Sequence, residues 1–164
     1  KNIITNTSWL SDVTKQLCKE RIDIMVVKIG GPDKPEIYDD FDKYITYDTL
    51  TITMAMELFH SKKNIMKYGT KADRNKWHMS SYSVNAYYSP LNNEIVIPAG
   101  ILHDPFYNHE KTLYDNLGAI GSVISHEISH GFDDQGRLFD KYGNYKSWWL
   151  QEDIDKYNKI IQSK

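Results

Sequence analysis

The sequence predicts an α+β fold, mostly helical, with a small sheet midway along the chain. Three observations predict it. Apolar residues recur at helical spacing in two stretches, residues 48–69 and 115–130. Between them, S-V-N-A-Y-Y-S-P-L-N-N-E-I-V-I-P (residues 83–98) reads as two short strands around a turn. Glycine and proline pairs punctuate the chain at K-I-G-G-P-D-K-P (residues 28–35), which reads as a loop.

The elements follow in order. Val13, Leu17, Ile24 and Val27 fit a first helix from Ser11 to about residue 26. Asp48 can cap the next helix. Leu50, Met54, Leu58, Ile65 and Met66 mark one face of it, and Gly69 can stop it. The strands are predicted at residues 84–88 and 94–97, with a turn around residues 90–93. Residues 104–111 form a loop. Asp115 or Asn116 caps a helix that runs to about His130, and Gly131, Asp134 and Gly136 mark its exit. A last, polar helix starts at Ser147 or Trp148.

The bulk properties narrow the function. With 164 residues, 40% apolar and 26% charged, the chain fits one globular domain. A net charge of -2 provides no basic field for nucleic acid or an anionic membrane. One cysteine, Cys18, excludes an internal disulfide framework. No apolar run approaches the roughly 18–20 residues of a membrane span. The first residue is Lys1, so excision from a longer chain is expected.

The chemistry concentrates in V-I-S-H-E-I-S-H-G-F-D-D (residues 123–134). At 3.6 residues per turn, His126 and His130 share one helix face. Both imidazoles can then reach one zinc ion at about 2.0–2.1 Å. Glu127 is rotated roughly 100° from His126, beside the metal, where a carboxylate can take a proton from zinc-bound water and return it to a leaving amine. Leu117, Ile120, Val123 and Ile124 give the helix an apolar face. Two histidines on such a helix need partners, and a shared metal provides them. Asp133, three residues past His130, can accept that ring's second N–H and orient it.

The remaining candidates read as ordinary structure. His60 falls on the polar side of the long helix, and His78, His103 and His109 fall in loops. Asp133, Asp134 and Asp140 lack the ligand spacing of an EF-hand, so calcium is not expected. Cys18 has Lys15, Lys19 and Arg21 nearby, which favours a thiolate, but a half-buried helix position is the simpler reading. The residues after His130, G-F-D-D-Q-G, exclude the metzincin pattern, which needs a further histidine.

Several segments together resemble one family. They are M-V-V-K-I-G-G-P-D-K, D-R-N-K-W-H-M-S, V-N-A-Y-Y-S-P-L-N-N-E-I-V-I-P-A-G-I-L, D-P-F-Y, G-A-I-G-S-V-I-S-H-E-I-S-H-G-F-D-D-Q-G-R-L-F-D and G-N-Y-K-S-W-W. In that order they are similar to the neprilysin / endothelin-converting-enzyme family of zinc endopeptidases, which includes bacterial oligopeptidases of the PepO type. The resemblance implies a thermolysin-like zincin fold with an active-site helix. It implies His126 and His130 as zinc ligands, Glu127 as the catalytic glutamate and Asp133 as the partner of His130. Asn85 and Ala86 match the family's substrate-clamping residues. Ile101, Phe106 and Val123 match positions lining an apolar pocket for the residue after the scissile bond, which implies cleavage on the amino side of hydrophobic residues. Core packing is the alternative for Ile101 and Phe106. His103-Asp104 and Ser122 depart from the family pattern.

The family's third ligand is a glutamate in E-x-x-x-D. Glu152 is followed four residues later by Lys156, so it does not match. Residues 1–164 are therefore expected to be part of one zinc metallopeptidase catalytic domain, ending before the third zinc ligand and inactive alone. The expected partners are peptides, the rest of the catalytic domain and an N-terminal lobe. No nucleic acid and no membrane contact are expected. Bacterial cytoplasm and secretion or a cell-surface location both fit. The alternative function is a non-catalytic peptide- or metal-binding module related to the family.

Overall fold

In the computed structural model the described residues are 1–34 and 48–163. They divide into two compact units, Lys1–Gly31 with Trp77–Lys164, and Pro32–Lys76. Pro35, the end of the predicted loop, lies outside the described residues.

The smaller unit contains the long predicted helix. The larger unit begins with a short helix α1 (Asn2–Asn6) and α2 (Asp12–Asp23). Ser11 caps α2, its Oγ accepting the Thr14 N–H at 3.3 Å. The buried face of α2 is Thr14, Cys18 and Arg21, not the predicted apolar set. Val13 and Ile24 are exposed, because the face that meets the rest of the unit is mixed in polarity and hydropathy spacing cannot reveal it. Ser11 also donates from N and Oγ to the buried Asp153 carboxylate at 3.0 and 2.6 Å, tying the first part of the unit to the last.

Cys18 joins Leu10 and Trp149 in an apolar cluster flanked by Trp9, Phe132, Trp148 and Tyr157. Burial pushes its thiol up to about 12, against the opposing pull of Arg21. The cationic neighbours therefore do not make a thiolate. We expect native protein at pH 8 to resist a thiol reagent, and one thiol to react once the chain is unfolded. Rapid labelling without denaturant would contradict this burial.

Three strands form the sheet, in the order β1-β3-β2. β1 (Val26–Gly30) runs parallel to β3 (Glu94–Pro98), with Val27 opposite Ile95. β2 (Tyr87–Ser89) runs antiparallel to β3, with Tyr87 opposite Val96. All five residues of β3 are buried, which is why E-I-V-I-P reads as a continuous run. Two expectations change here. Residues 28–30 are strand, not loop, because the V-V-K-I run finds a partner in β3 far along the chain. β2 begins at Tyr87, so Asn85 and Ala86 lead into the strand. The turn between β2 and β3 closes at Asn93 with φ 48°, a left-handed conformation that asparagine tolerates.

The helix predicted from residue 115 to 130 is two helices, α4 (Leu113–Gly118) and α5 (Ile120–Ser129). Thr112, not Asp115 or Asn116, caps α4. Asp115 completes a capping box with it. Between the helices, Ala119 leaves helical geometry with ψ -94°, and the first α5 N–H, of Ile120, goes to the Phe106 carbonyl at 2.9 Å. A tertiary acceptor thus replaces the helical one, which periodicity cannot foresee. The last helix, α6, is Gln151–Gln162, three residues later than expected from Trp148. Trp148 and Trp149 pack into the aromatic cluster ahead of it.

In the smaller unit, α3 (Thr49–Met66) starts as expected. The Asp48 carboxylate accepts the Thr51 N–H at 3.1 Å and its hydroxyl at 2.8 Å. Gly69, at φ 78°, lies just past its end. Leu50, Met54, Leu58, Ile65 and Met66 are exposed. No helix among the described residues is long and apolar enough to cross a membrane.

Candidate metal centre and peptide cleft

α5 carries the H-E-x-x-H residues on its last turn. His130 is the C-cap yet keeps φ -59° and ψ -23°, so its side chain stays in register with His126 one turn back. The two Nε2 atoms face each other at 3.1 Å, with the rings edge-on at 79°. The His130 Nδ1 meets Asp133 Oδ2 at 2.7 Å. Asp133 is fixed in turn, because its Oδ1 accepts the N–H of Gly136 at 2.7 Å and of Gln135 at 3.0 Å. Burial pushes the Asp133 carboxyl up. Hydrogen bonds from Gly136, His130 and Gln135 outweigh it and hold the carboxyl below its usual range. In the tautomer that donates Nδ1–H to Asp133, the His130 Nε2 lone pair is the one directed at His126.

This donor set fits a metal. Nitrogens 3.1 Å apart can share one ion at about 2.0–2.1 Å each, closing an angle of about 98°. A shared proton fits the same separation, but it does not account for a carboxylate that fixes the second ring nitrogen. Among the described residues no third histidine, cysteine, aspartate or glutamate joins the pair. The described residues therefore offer two candidate donors, and a catalytic zinc takes three protein ligands.

Glu127 lies one residue from His126, and only 6% of it is exposed. It shares a cleft of about 430 Å³ with His126, His130, Asp133, Asn85, Ala86, Tyr87 and Tyr88. The structure thus brings six of the predicted site residues to one place. Asn85 is exposed, and its Oδ1 accepts the Ala86 N–H at 2.9 Å. Its side-chain NH2 is left as the outward donor. Ile101, Phe106 and Val123 do not line this cleft. They pack with Ala86, Ile97 and Ile120 in the apolar cluster, Ile101 fully and the other two in part.

Three residues that support this cleft carry no sequence signal of their own. Arg21 and Asn93, both buried, form a hydrogen-bonded ring with Tyr88, which lines the cleft. In the sequence Arg21 is legible only as one of the cations near Cys18, and its place on the inward face with Thr14 and Cys18 emerges with the fold. Gly136, read as a helix exit, has a sharper role. A Cβ there would fall far inside contact distance of the His130 carbonyl oxygen.

Residues 85–163 match the model of peptidase family M13. The chain belongs to peptidase family M13. Over 157 residues, 95% of this chain, it is 40% identical to the "Neutral endopeptidase" of Lactococcus lactis subsp. cremoris. Among solved structures it is similar to PepO from Lactobacillus rhamnosis HN001, with a TM-score of 0.82 and 35% identity over 98% of this chain. It is also similar to the Mycobacterium tuberculosis zinc metalloprotease Zmp1 in complex with an inhibitor, with a TM-score of 0.86 and 33% identity over 98% of this chain. These alignments cover 25%, 26% and 24% of the three M13 proteins, so the chain spans about a quarter of their length.

Proposed function

We propose that this chain carries the catalytic helix of a zinc-dependent endopeptidase or oligopeptidase with thermolysin-like zincin architecture. The observation that carries the reading is the convergence of the His126 and His130 Nε2 atoms beside the buried Glu127 on one cleft. His126 and His130 would hold the metal, and Asp133 would keep the His130 ring in one tautomer and one orientation. Zinc, when bound, supplies the Lewis acidity that polarises the scissile carbonyl and acidifies the attacking water. Glu127 takes the proton from that water and delivers it to the leaving amine. A non-catalytic peptide holder has no use for such a carboxylate, and its near-complete burial makes it costly to keep.

Among the described strands β2 stands at the sheet's edge, and the residues that precede it line the cleft. An extended peptide adds to such an edge through backbone hydrogen bonds, which hold any sequence. The Asn85 NH2 is the donor for a substrate carbonyl beside the cut. Preference for a large apolar residue after the scissile bond rests on the family resemblance at Ile101, Phe106 and Val123, which in this chain pack in the apolar cluster that contains Ala86. The third zinc ligand, in this reading, is not among the described residues and belongs to the part of an M13 peptidase that this chain, spanning about a quarter of its relatives' length, does not cover. The isolated chain then hydrolyses peptides negligibly.

The test is a panel of quenched fluorescent peptides given to the parent enzyme with and without a chelator. We expect cleavage before hydrophobic residues, lost on chelation and restored by zinc. Hydrolysis indifferent to chelation would end the metallopeptidase reading. For Asp133→Asn, zinc affinity should fall by about 10–100-fold, as measured by competition with a chromophoric chelator. Unchanged affinity would show that Asp133 does not orient His130.

A further inference from the structure

Arg21 sits in an unusual setting for a cation. It is fully buried, and its partners are a phenol, a carbonyl and aromatic faces, none of them anionic. Nε and Nη2 both donate to the Tyr88 hydroxyl, at 3.2 and 2.6 Å, and Nη1 donates to the Phe139 carbonyl. The Trp148 ring centre lies 5.4 Å from Cζ. The Tyr88 hydroxyl donates to Asn93 Oδ1 at 3.0 Å, and Asn93 Nδ2 donates back to the Arg21 carbonyl at 2.9 Å. The ring of bonds is closed.

What this ring joins is specific. Tyr88 belongs to β2, the strand at the cleft, and lines the cleft itself. Gly131 directly follows His130, and a Cβ there would touch Tyr88 Oη at 3.3 Å and Arg21 Nε at 3.4 Å. One guanidinium therefore sets the phenol of the peptide-holding strand against the turn that leaves the second histidine. Burying an unpaired cation stabilises a fold less than an apolar side chain of similar size would. A planar fork of donors does fix one phenol position, which an apolar side chain cannot.

We propose that Arg21, acting through Tyr88, is a positioning residue that fixes the β2 edge relative to the His126–His130 pair and Glu127. The inference rests on the peptidase reading above. It makes the network a determinant of peptide binding, not of metal binding, because no bond in the ring reaches His126, His130 or Asp133.

The experiment is steady-state hydrolysis of one good peptide by the full-length enzyme, with bound zinc measured alongside. Tyr88→Phe removes a single oxygen and keeps the ring face. It should raise KM about 10-fold while kcat and zinc content stay near those of the unsubstituted enzyme. Arg21→Lys should fall between the unsubstituted enzyme and Arg21→Met. Arg21→Met should add little to Tyr88→Phe, because both break the same ring. If Arg21→Met does not fold, Tyr88→Phe alone decides. An unchanged KM in Tyr88→Phe overturns the inference, and so does a loss of zinc that accounts for the lost activity. If the unsubstituted enzyme shows no chelator-sensitive hydrolysis, the peptidase reading falls, and this inference with it.

Discussion

Replacing Glu127 by glutamine should leave zinc bound and lower kcat by about 10³-fold, within the roughly 10²–10⁴ that a positioned general base contributes. The substitution is nearly isosteric, so the buried position is still filled. Only the ability to take and return a proton is lost. Because just 6% of Glu127 is exposed, water cannot easily stand in for the missing carboxylate. Folding stability should hold or rise slightly, since a buried ionisable group becomes neutral. The checks are kcat on a fluorogenic peptide, zinc content and an unfolding midpoint. Activity within tenfold of the unsubstituted enzyme, with zinc in place, would remove Glu127 from the mechanism. Loss of zinc in parallel with activity would turn it from a base into a support for the metal.

Gly136→Ala should damage both the fold and the metal site. The added methyl collides with the His130 carbonyl oxygen and lies 2.8 and 2.9 Å from the carbonyl carbons of His130 and Gly131. These are backbone atoms, so no rotamer change relieves the overlap, and the turn from His130 to Gly136 must open. Opening it lengthens the 2.7 Å bond from the Gly136 N–H to Asp133 and loosens the Asp133 contact with the His130 ring. Overpacking of this kind costs about 3 kcal/mol or more. Zinc affinity should fall by a further 10-fold or so as the ring loses its partner. Gly118→Ala is the control. Nothing lies within 4 Å of its Cβ position, at the end of α4, so it should be neutral or slightly stabilising. Denaturant melts and zinc titrations of the two variants distinguish the outcomes. Equal behaviour of the two would mean that the close approach at Gly136 is not needed.

Local chemistry was legible in the sequence, and non-local pairing was not. Ser11 and Asp48 announce their helices because a cap acts within three residues. The His126–His130 pair is legible because one helical turn alone brings the rings together. β1 was missed because its partner, β3, lies far along the chain, and two glycines and two prolines in residues 28–35 outweighed a short V-V-K-I run. The break at Ala119 depends on the Phe106 carbonyl, which only the folded chain delivers.

The site divides the same way. Asn85, Ala86, Glu127 and Asp133 were singled out from a spacing or a family motif, and all reach the cleft. Ile101 and Phe106 came from the motif alone and Val123 from the motif and the apolar helix face, and here all three pack in the core with Ala86. Arg21 was visible only as a charge near Cys18. Its burial reverses that reading, because the cation faces inward to Tyr88 and Cys18 is an inert, protonated thiol.

The central claim is that His126 and His130 are two ligands of one catalytic zinc. It is tested most directly by anomalous diffraction from crystals of the full-length enzyme, measured on both sides of the zinc absorption edge. The account predicts one peak, about 2.0–2.1 Å from both Nε2 atoms, within reach of Glu127 and present only above the edge. A map with no such peak in zinc-replete, active enzyme, and with the two Nε2 atoms still 3.1 Å apart, would contradict it.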